Sequence, residues 1–227
     1  MSVFALIPAY DAARTVGEVV RAARRFLPQV LVVDDGSSDG TAVEARAAGA
    51  RVLRFDSNRG KGMALRAGFS QALQAGAAAV VTIDADGQHD ASEIPRFVTR
   101  WQTHAAGIVI GSRVRSYDGM TPSRRFGNRF SQVAISFFSG VTLPDPQSGF
   151  RLYDAKVLRA IPLRGARYEL ESEVIVKAAR TGFALDSVDI GTPRADGTAS
   201  SHFRPWRDTT RICVAVVRSR LWRPRCS

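Results

Sequence analysis

Two aspartates separated by one residue follow an apolar segment in the first half of the chain. The segment is Val80–Ile83, and Asp84 and Asp86 come directly after it. Because side chains at positions i and i+2 of an extended chain point to the same side, a loop at the strand end can bring both carboxylates onto one cation. Mg²⁺ and Mn²⁺ prefer such oxygen ligands and leave room for substrate phosphates. The pattern predicts a divalent metal site for a nucleotide diphosphate, and an Asp-X-Asp turn without function is the alternative.

Another acidic segment follows the second predicted strand of the chain. In Val33–Gly36 the carboxylate of Asp35 can accept hydrogen bonds from a nucleobase N–H or a ribose hydroxyl, so we expect Asp35 to contact a ligand. The polar residues after it, Ser37, Ser38 and Asp39, are typical of turns and helix caps, and we assign them that role.

Several cations stand where phosphate could bind. Lys61 lies between two glycines before a predicted helix, a position that suits phosphate, although the full P-loop pattern is absent and a solvated turn is the alternative. Arg113 ends a predicted strand, and arginine offers paired donors to phosphate oxygens. Arg125 and Arg129 are four residues apart and share a helix face, which is either an acceptor-phosphate site or a solvated basic surface.

Two further candidates lie in the second half. Asp145 precedes a proline and a turn, so it either acts as a base, orients an acceptor or initiates the turn. His202 follows a loop rich in glycine, serine and threonine that also contains Arg194. This histidine could close over a pyrophosphate or complete a metal shell, and an exposed loop histidine is the alternative.

The elements that must position these side chains alternate between strands and helices. Predicted strands are Val3–Pro8, Val30–Val33, Arg51–Phe55, Ala78–Asp84 and Gly107–Gly111. Predicted helices between them are Thr15–Phe26, Asp39–Ala48, Lys61–Ala75 and Ala91–Gln102. Such alternation indicates parallel βαβ units in a doubly wound α/β sheet, which binds its ligands beyond the carboxyl ends of the strands. The aspartates named above fall at those ends.

The second half is less regular. It contains a predicted helix, a loop that enters a short strand, a second helix, a further strand and a loop that we expect to be mobile. These are, in order, Arg124–Ser139, Pro144–Tyr153, Glu171–Arg180, Phe183–Ile190 and Gly191–His202.

Composition limits the class of protein. The 227 residues are 45% hydrophobic and carry a formal charge of +11, which suits one α/β domain with an anionic partner such as nucleic acid, phospholipid or a phosphorylated substrate. The basic residues are spread along the chain without an RNA-type aromatic platform, so we expect no nucleic acid. The longest apolar runs are too short to cross a bilayer, the N-terminus lacks a basic leader region, and two cysteines indicate a reducing cytosol.

Six short motifs together resemble family 2 glycosyltransferases of GT-A fold, especially the polyprenyl-phosphate (dolichol-phosphate) mannosyltransferase branch. They span roughly residues 3 to 203 and occur in the order Ile7–Tyr10, Val33–Ser37, Asn58–Gly62, Asp84–His89, Gly111–Arg113 and Asp145–Arg151. The resemblance implies a Rossmann-like, mostly parallel sheet with flanking helices in residues 1–203. It also implies a UDP- or GDP-sugar donor and an inverting single displacement. Residues 204–227 form a basic amphipathic segment without a transmembrane helix.

The same resemblance implies the site residues. The nucleoside would be held by Pro8, Ala9, Tyr10, Val33 and Asp35, and the Mg²⁺ or Mn²⁺ cofactor by Asp84, Asp86 and Gln88. Ala85 would contact the donor through its backbone, alongside Lys61. Arg113, Arg194 and His202 would surround the phosphates of donor and acceptor, with Arg125 and Arg129 on the acceptor side. Asp86, Asp145 and Arg113 are the catalytic candidates, with Asp145 as the base if the acceptor is a hydroxyl.

The chain departs from the branch in two places. Asp11-Ala12 stands where the branch has Asn-Glu, and His202 replaces a lysine in a late loop that is two residues longer. The Gln-x-x-Arg-Trp motif of processive synthases is absent from the sequence. We therefore expect a non-processive enzyme whose donor contacts differ in detail from those of the branch.

The expected function is sugar transfer to a lipid-linked polyprenyl phosphate by a cytoplasmic protein at the inner face of the membrane. Arg204–Arg223, basic with interleaved apolar residues, either lies on the membrane surface or packs on the domain. The alternatives are transfer to a hydroxyl of another lipid or small molecule, a nucleotidyltransferase, a nucleic-acid-binding module and a non-catalytic sugar-nucleotide binder. A homodimer is among the oligomeric states open to it.

Overall fold

A computed structural model describes residues 1–113, 133, 135–191 and 205–222. Its strands are β1 (Val3–Ala9), β2 (Gln29–Asp34), β3 (Arg51–Arg54), β4 (Ala79–Thr82), β5 (Ile108–Ser112), β6 (Arg151–Asp154) and β7 (Leu185–Asp189). Its helices are α1 (Val16–Arg24), α2 (Thr41–Ala47), α3 (Lys61–Gln74), α4 (Ile94–His104), α5 (Ala155–Ala160), α6 (Glu169–Arg180) and α7 (Pro205–Leu221). A 3₁₀ turn, Ala91–Glu93, precedes α4, and residues 135–139 are helical.

The seven strands form one sheet in the order β3-β2-β1-β4-β6-β5-β7. β6 runs antiparallel to both of its neighbours, and the other neighbouring pairs are parallel. The predicted α/β fold with a mostly parallel sheet is therefore confirmed. The carboxyl ends of β1, β2, β4 and β5 lie along the same edge of the sheet, which is where the sequence places the site.

Helices cover both faces of the sheet, because alternate strand residues point to opposite sides. Ile7 belongs to the core on the side of α1 and α4, whereas its neighbour Leu6 belongs to the core on the side of α3, α6 and α7. Both side chains are fully buried. Buried apolar strands with helices on each face are typical of a doubly wound sheet.

The C-terminal helix α7 packs against α6. Ile212 and Val216 are buried in the second core. On the other side of α7, Val214, Val217 and Leu221 are exposed. The described part of the basic segment thus packs on the domain and still presents an apolar stripe to solvent. No helix among the described residues is long and apolar enough to cross a membrane.

Several elements differ from the sequence prediction in their bounds; α2 and β7, for example, each begin two residues later than predicted. β4 ends at Thr82, so Asp84 and Asp86 lie in the following loop. The helix α5 was missed, since six residues give too little periodicity; its start is fixed by Asp154, which accepts a hydrogen bond from the backbone N–H of Lys156. α6 begins two residues earlier than predicted. The predicted loop at 192–202, the first part of the helix predicted over 124–139 and the boundary at residues 203 and 204 fall outside the described residues.

A buried arginine at the start of β6 ties the edge of the sheet to α6. The guanidinium of Arg151 donates to the carbonyls of Ser148 (2.6 Å), Pro146 (2.8 Å) and Glu171 (2.8 Å), and the residue is fully buried. The loop before β6 and the first turn of α6 are therefore held in one arrangement.

Replacing Arg151 should destabilise the fold. Arg151→Met keeps much of the volume but leaves buried carbonyls without donors, so we expect the free energy of unfolding to fall by about 3 kcal/mol or more. Denaturant unfolding followed by circular dichroism measures this change. Arg159→Met, at an exposed position on α5, is the control and should change stability little. Equal stability of the two variants would contradict this role of Arg151.

Candidate active site

The loops that follow β1 and β2 lie side by side and are joined by hydrogen bonds. Asp35 donates its backbone N–H to the carbonyl of Ala9 (2.8 Å). Side chains of the second loop accept from backbone N–H groups of the first: Ser37 Oγ from Asp11 (3.0 Å), Thr41 Oγ1 from Ala12 (2.8 Å) and Asp39 Oδ2 from Ala13 (3.0 Å). Ser38 in turn donates to Asp11 Oδ1 (2.8 Å). Asp39 Oδ1 also accepts a hydrogen bond from the backbone N–H of Thr41 (2.9 Å), which agrees with the turn role predicted for it. The predicted helix-cap role is wrong, because the N-cap of α2 is Gly40 and has no side-chain cap hydrogen bond.

Asp35 fixes a third loop against this pair. Its buried carboxylate accepts hydrogen bonds from the backbone N–H groups of Arg59 (2.7 Å) and Gly60 (2.8 Å). Burial raises the pKa of Asp35 more than these two bonds lower it. Gly60 has φ +99°, a conformation that favours glycine. The structure therefore gives Asp35 a supporting role in addition to the predicted nucleoside contact.

The other predicted nucleoside residues lie at the same edge. Pro8 and Ala9 end β1, Tyr10 follows half-buried, and Val33 is fully buried near the end of β2. Since Val33 is buried as a whole residue and its strand is paired on both sides, its predicted nucleoside contact stays a prediction.

Lys61 forms an ion pair with Asp84, the first of the predicted metal ligands. Its Nζ is 2.7 Å from Oδ1 of Asp84 and 3.3 Å from Oε1 of Glu171, and its side chain is 17% exposed. The alternative of a solvated turn is therefore wrong for Lys61. Burial alone would raise the pKa of Asp84, but the charge of Lys61 holds it below its ordinary value. Burial would likewise lower the pKa of Lys61, yet the two carboxylates raise it well above its usual range.

Asp86 stands on the exposed side of the same loop. It accepts a hydrogen bond from the backbone N–H of Gln88 (3.0 Å), which shapes the turn between these two predicted metal ligands. Partial desolvation and the negative charge of Asp84 raise the pKa of Asp86. The carbonyl of Ala85 accepts a hydrogen bond from the Thr15 hydroxyl (2.6 Å), which anchors the loop to the start of α1.

Gly149 and His89 lie close to the carboxylate of Asp84, and the sequence did not reveal this role for either residue. A Cβ atom at Gly149 would lie 2.3 Å from Oδ2 of Asp84, so a side chain there would displace the carboxylate. His89 Nε2 lies 4.0 Å from the same oxygen, and its ring packs on Phe150 with centroids 5.3 Å apart. Burial lowers the pKa of His89 to about 4, so the imidazole is neutral at physiological pH. In the sequence, His89 belongs to the motif Asp84–His89, and Gly149 lies next to a predicted strand. Neither position indicates a contact with Asp84.

Arg113 is oriented by Asp145. The Nε and Nη2 atoms of Arg113 lie 2.7 Å from Oδ2 and 3.2 Å from Oδ1 of Asp145, a paired arrangement, and Asp145 is buried. The positive charge of Arg113 also acts on both Asp84 and Asp86. With both carboxylate oxygens engaged, Asp145 is better suited to positioning Arg113 than to the predicted role of general base.

The oxygen atoms near Asp84 fit a hard divalent cation. The carboxylates of Asp84 and Asp86 and the amide of Gln88 lie within five residues, and such ligands suit Mg²⁺ or Mn²⁺. No group of three or more His, Cys, Asp or Glu side chains suited to a metal occurs among the described residues. The protein would thus supply part of a coordination sphere, with room for diphosphate oxygens and water.

Four of the predicted phosphate-binding residues cannot be placed. Arg125, Arg129, Arg194 and His202 lie outside the described residues, so their roles stay predictions.

Comparisons with known proteins identify the family and the fold. The model of the family described as Glycosyl transferase family 2 matches residues 4–161. An undecaprenyl-phosphate mannosyltransferase of Micrococcus luteus is 32% identical, with 84% of this chain and 83% of that protein covered. A UDP-N-acetylglucosamine–dolichyl-phosphate N-acetylglucosaminyltransferase of Methanococcus voltae is 26% identical, with 84% and 85% covered.

A solved structure shows the same fold at low sequence identity. Glucosyl-3-phosphoglycerate synthase from Mycobacterium tuberculosis, in complex with Mn²⁺, UDP and glucosyl-3-phosphoglycerate, superposes with a TM-score of 0.76 at 20% identity, covering 96% of this chain and 79% of that one. The family model covers most of the chain. The order of strands and helices in the mostly parallel sheet brings the motifs to one edge of that sheet. The protein is therefore a glycosyltransferase of GT-A fold that belongs to glycosyl transferase family 2.

Proposed function

We propose that the protein transfers a sugar from a UDP- or GDP-sugar to a polyprenyl-phosphate acceptor in a metal-dependent, inverting displacement. The observation that carries this proposal is the pair Asp84 and Asp86 at the carboxyl edge of the sheet, beside the loop that Asp35 fixes. Relatives whose names specify undecaprenyl-phosphate and dolichyl-phosphate acceptors support the acceptor class. Family membership argues against the nucleotidyltransferase and nucleic-acid alternatives.

The donor would lie across the loops after β1, β2 and β4. In this proposal Tyr10 and Asp35 would contact the nucleoside, and Asp84, Asp86 and Gln88 would hold a divalent ion near the diphosphate. A bound ion would supply positive charge against the departing diphosphate, which is the main electrostatic requirement of the reaction. The chain contributes a fixed guanidinium at Arg113, whose orientation is set in advance by Asp145.

The engagement of Asp145 favours a phosphate acceptor over a hydroxyl. A hydroxyl nucleophile needs a base within reach, whereas a phosphate monoester is already an anion. Since both oxygens of Asp145 accept from Arg113, the acid first suggested as the base is occupied with positioning. A polyprenyl phosphate would need charge compensation, which Arg113 and the arginines of the 114–132 segment would supply.

The exposed stripe on α7 supports contact with a membrane that carries such an acceptor. Val214, Val217 and Leu221 are spaced by three and four residues, so they share one helix face, and Arg218 and Arg220 are exposed beside them. A basic helix with an apolar face binds anionic bilayers by electrostatic attraction and shallow insertion. The proposed location is therefore peripheral, at the cytoplasmic face of the membrane.

Transfer assays with matched acceptors test the function. With Mn²⁺ and a panel of labelled UDP- and GDP-sugars, we expect one donor to give product with polyprenyl phosphate and none with the corresponding free polyprenol. NMR of the product should show an inverted anomeric centre. Transfer to polyprenol, or to phosphoglyceric acid in place of the lipid, would contradict the proposed acceptor, and retention of configuration would contradict the displacement.

Vesicle binding tests the membrane surface. The wild-type protein should co-sediment with vesicles that contain anionic phospholipid, and less so as salt is raised. The double change Val217→Ser with Leu221→Ser should lower the bound fraction about threefold or more, because it removes inserted apolar area. Val43→Ser is the matched control, since Val43 is exposed on α2, on the opposite face of the sheet. Equal binding by all three proteins would rule out this stripe as the contact.

A further inference from the structure

We infer that Glu171 is a positioning residue of the donor site, which acts by holding Lys61 and setting how much of its charge falls on Asp84. The inference rests on the proposed function, because it concerns the site assigned there to the metal and the donor diphosphate. Glu171 lies in the first turn of α6, far along the chain from the Asp-X-Asp loop, and the sequence pattern gave it no role.

The geometry places one ammonium between two carboxylates. Lys61 Nζ lies 2.7 Å from Oδ1 of Asp84 and 3.3 Å from Oε1 of Glu171. On another side it lies 5.9 Å from the centre of the Tyr168 ring, close enough for a cation–π interaction. Lys61 is thus held from three directions, and two of the three come from α6 and the residue before it.

Burial explains why this arrangement is specific. Glu171 is only 6% exposed, and a buried carboxylate is costly unless a cation or hydrogen-bond donors compensate it. Among the residues that the structure describes, Lys61 is the cation that lies within ion-pair distance of the Glu171 carboxylate. If Lys61 turned to bulk solvent, the buried carboxylate of Glu171 would lose this cation, so the pair fixes where the lysine charge lies.

The charge balance gives Glu171 a functional consequence. Lys61 pairs with Asp84 and Glu171, and Asp86 belongs to the same loop as Asp84. These four groups carry a formal charge of −2, to which the Arg113–Asp145 pair adds no net charge, and one divalent cation neutralises that amount. Without the charge of Glu171, Lys61 is left to Asp84 alone and the cluster is less negative, so a divalent cation should bind more weakly. Without the charge of Lys61, the cluster is more negative, so the cation alone should bind more tightly.

The opposite directions of these two changes in cation affinity distinguish an electrostatic role of the residues from a role in packing alone. If Glu171 and Lys61 served only to keep the fold intact, loss of either would disturb the Asp-X-Asp loop, and both changes would weaken cation binding. Only an electrostatic role predicts that the two single changes shift the affinity in opposite directions and that the double change brings it back toward the wild-type value.

Calorimetric titration of Mn²⁺ into the full-length protein, without nucleotide and at low ionic strength, tests the inference. We expect Glu171→Gln to weaken Mn²⁺ binding about threefold to tenfold, Lys61→Met to tighten it by a similar factor and the double variant to lie near wild type. Glu44→Gln, which removes an exposed carboxylate on α2, is the control and should leave the affinity unchanged. Glu171→Asp retains the charge and should keep the affinity within about twofold of wild type.

The outcomes separate this inference from the proposed function. Unchanged Mn²⁺ affinity in Glu171→Gln, or weaker binding in both single variants with folded circular dichroism spectra, would overturn the role of Glu171 and leave the metal site standing. Should Lys61→Met fail to fold, the comparison of Glu171→Gln with Glu171→Asp decides, and equal affinities there would also overturn it. Absence of Mn²⁺ binding by the wild-type protein, both without nucleotide and with UDP or GDP present, would overturn the metal site itself, and this inference with it.

Discussion

The ion pair between Lys61 and Asp84 joins two parts of the site that the chain brings together from different βα units. Lys61 starts α3, immediately after the loop that Asp35 holds by two backbone N–H groups, and Asp84 follows β4. The nucleoside side and the metal side of the proposed donor site are therefore mechanically connected through one turn of helix. Glu171 extends this connection to α6, so that the negative charge available to a cation depends on a helix from the second half of the chain.

The antiparallel strand β6 supplies the rest of the enclosure. It enters the sheet between β4 and β5, and the loop that precedes it brings Gly149 against Asp84 and Asp145 against Arg113. Arg151 locks that loop to α6 through three carbonyls. The loop thus presents a preorganised pair of charges in which Arg113 engages both carboxylate oxygens of Asp145, and this engagement supports the proposed anionic acceptor.

The residues at strand ends were predictable because a parallel sheet gathers them at one edge whatever the details of packing. This holds for Asp35, Asp84, Asp86 and Arg113, and it follows from periodicity and order alone. The partners of these residues were not predictable. Glu171 stands in a helix where an acid normally faces solvent, and only the tertiary arrangement shows that it is buried beside Lys61. Asp145 preceded a proline and a turn, so its local sequence was equally consistent with a structural role, a base or an orienting group.

The central claim is that Asp84 and Asp86 hold a divalent cation against the donor diphosphate. Anomalous diffraction from crystals grown with Mn²⁺ and the nucleotide diphosphate tests it most directly. The account predicts a manganese peak within about 2.5 Å of an oxygen of Asp86, next to Asp84 and the diphosphate. A bound nucleotide with no manganese peak at these two aspartates, or a peak elsewhere, would contradict it.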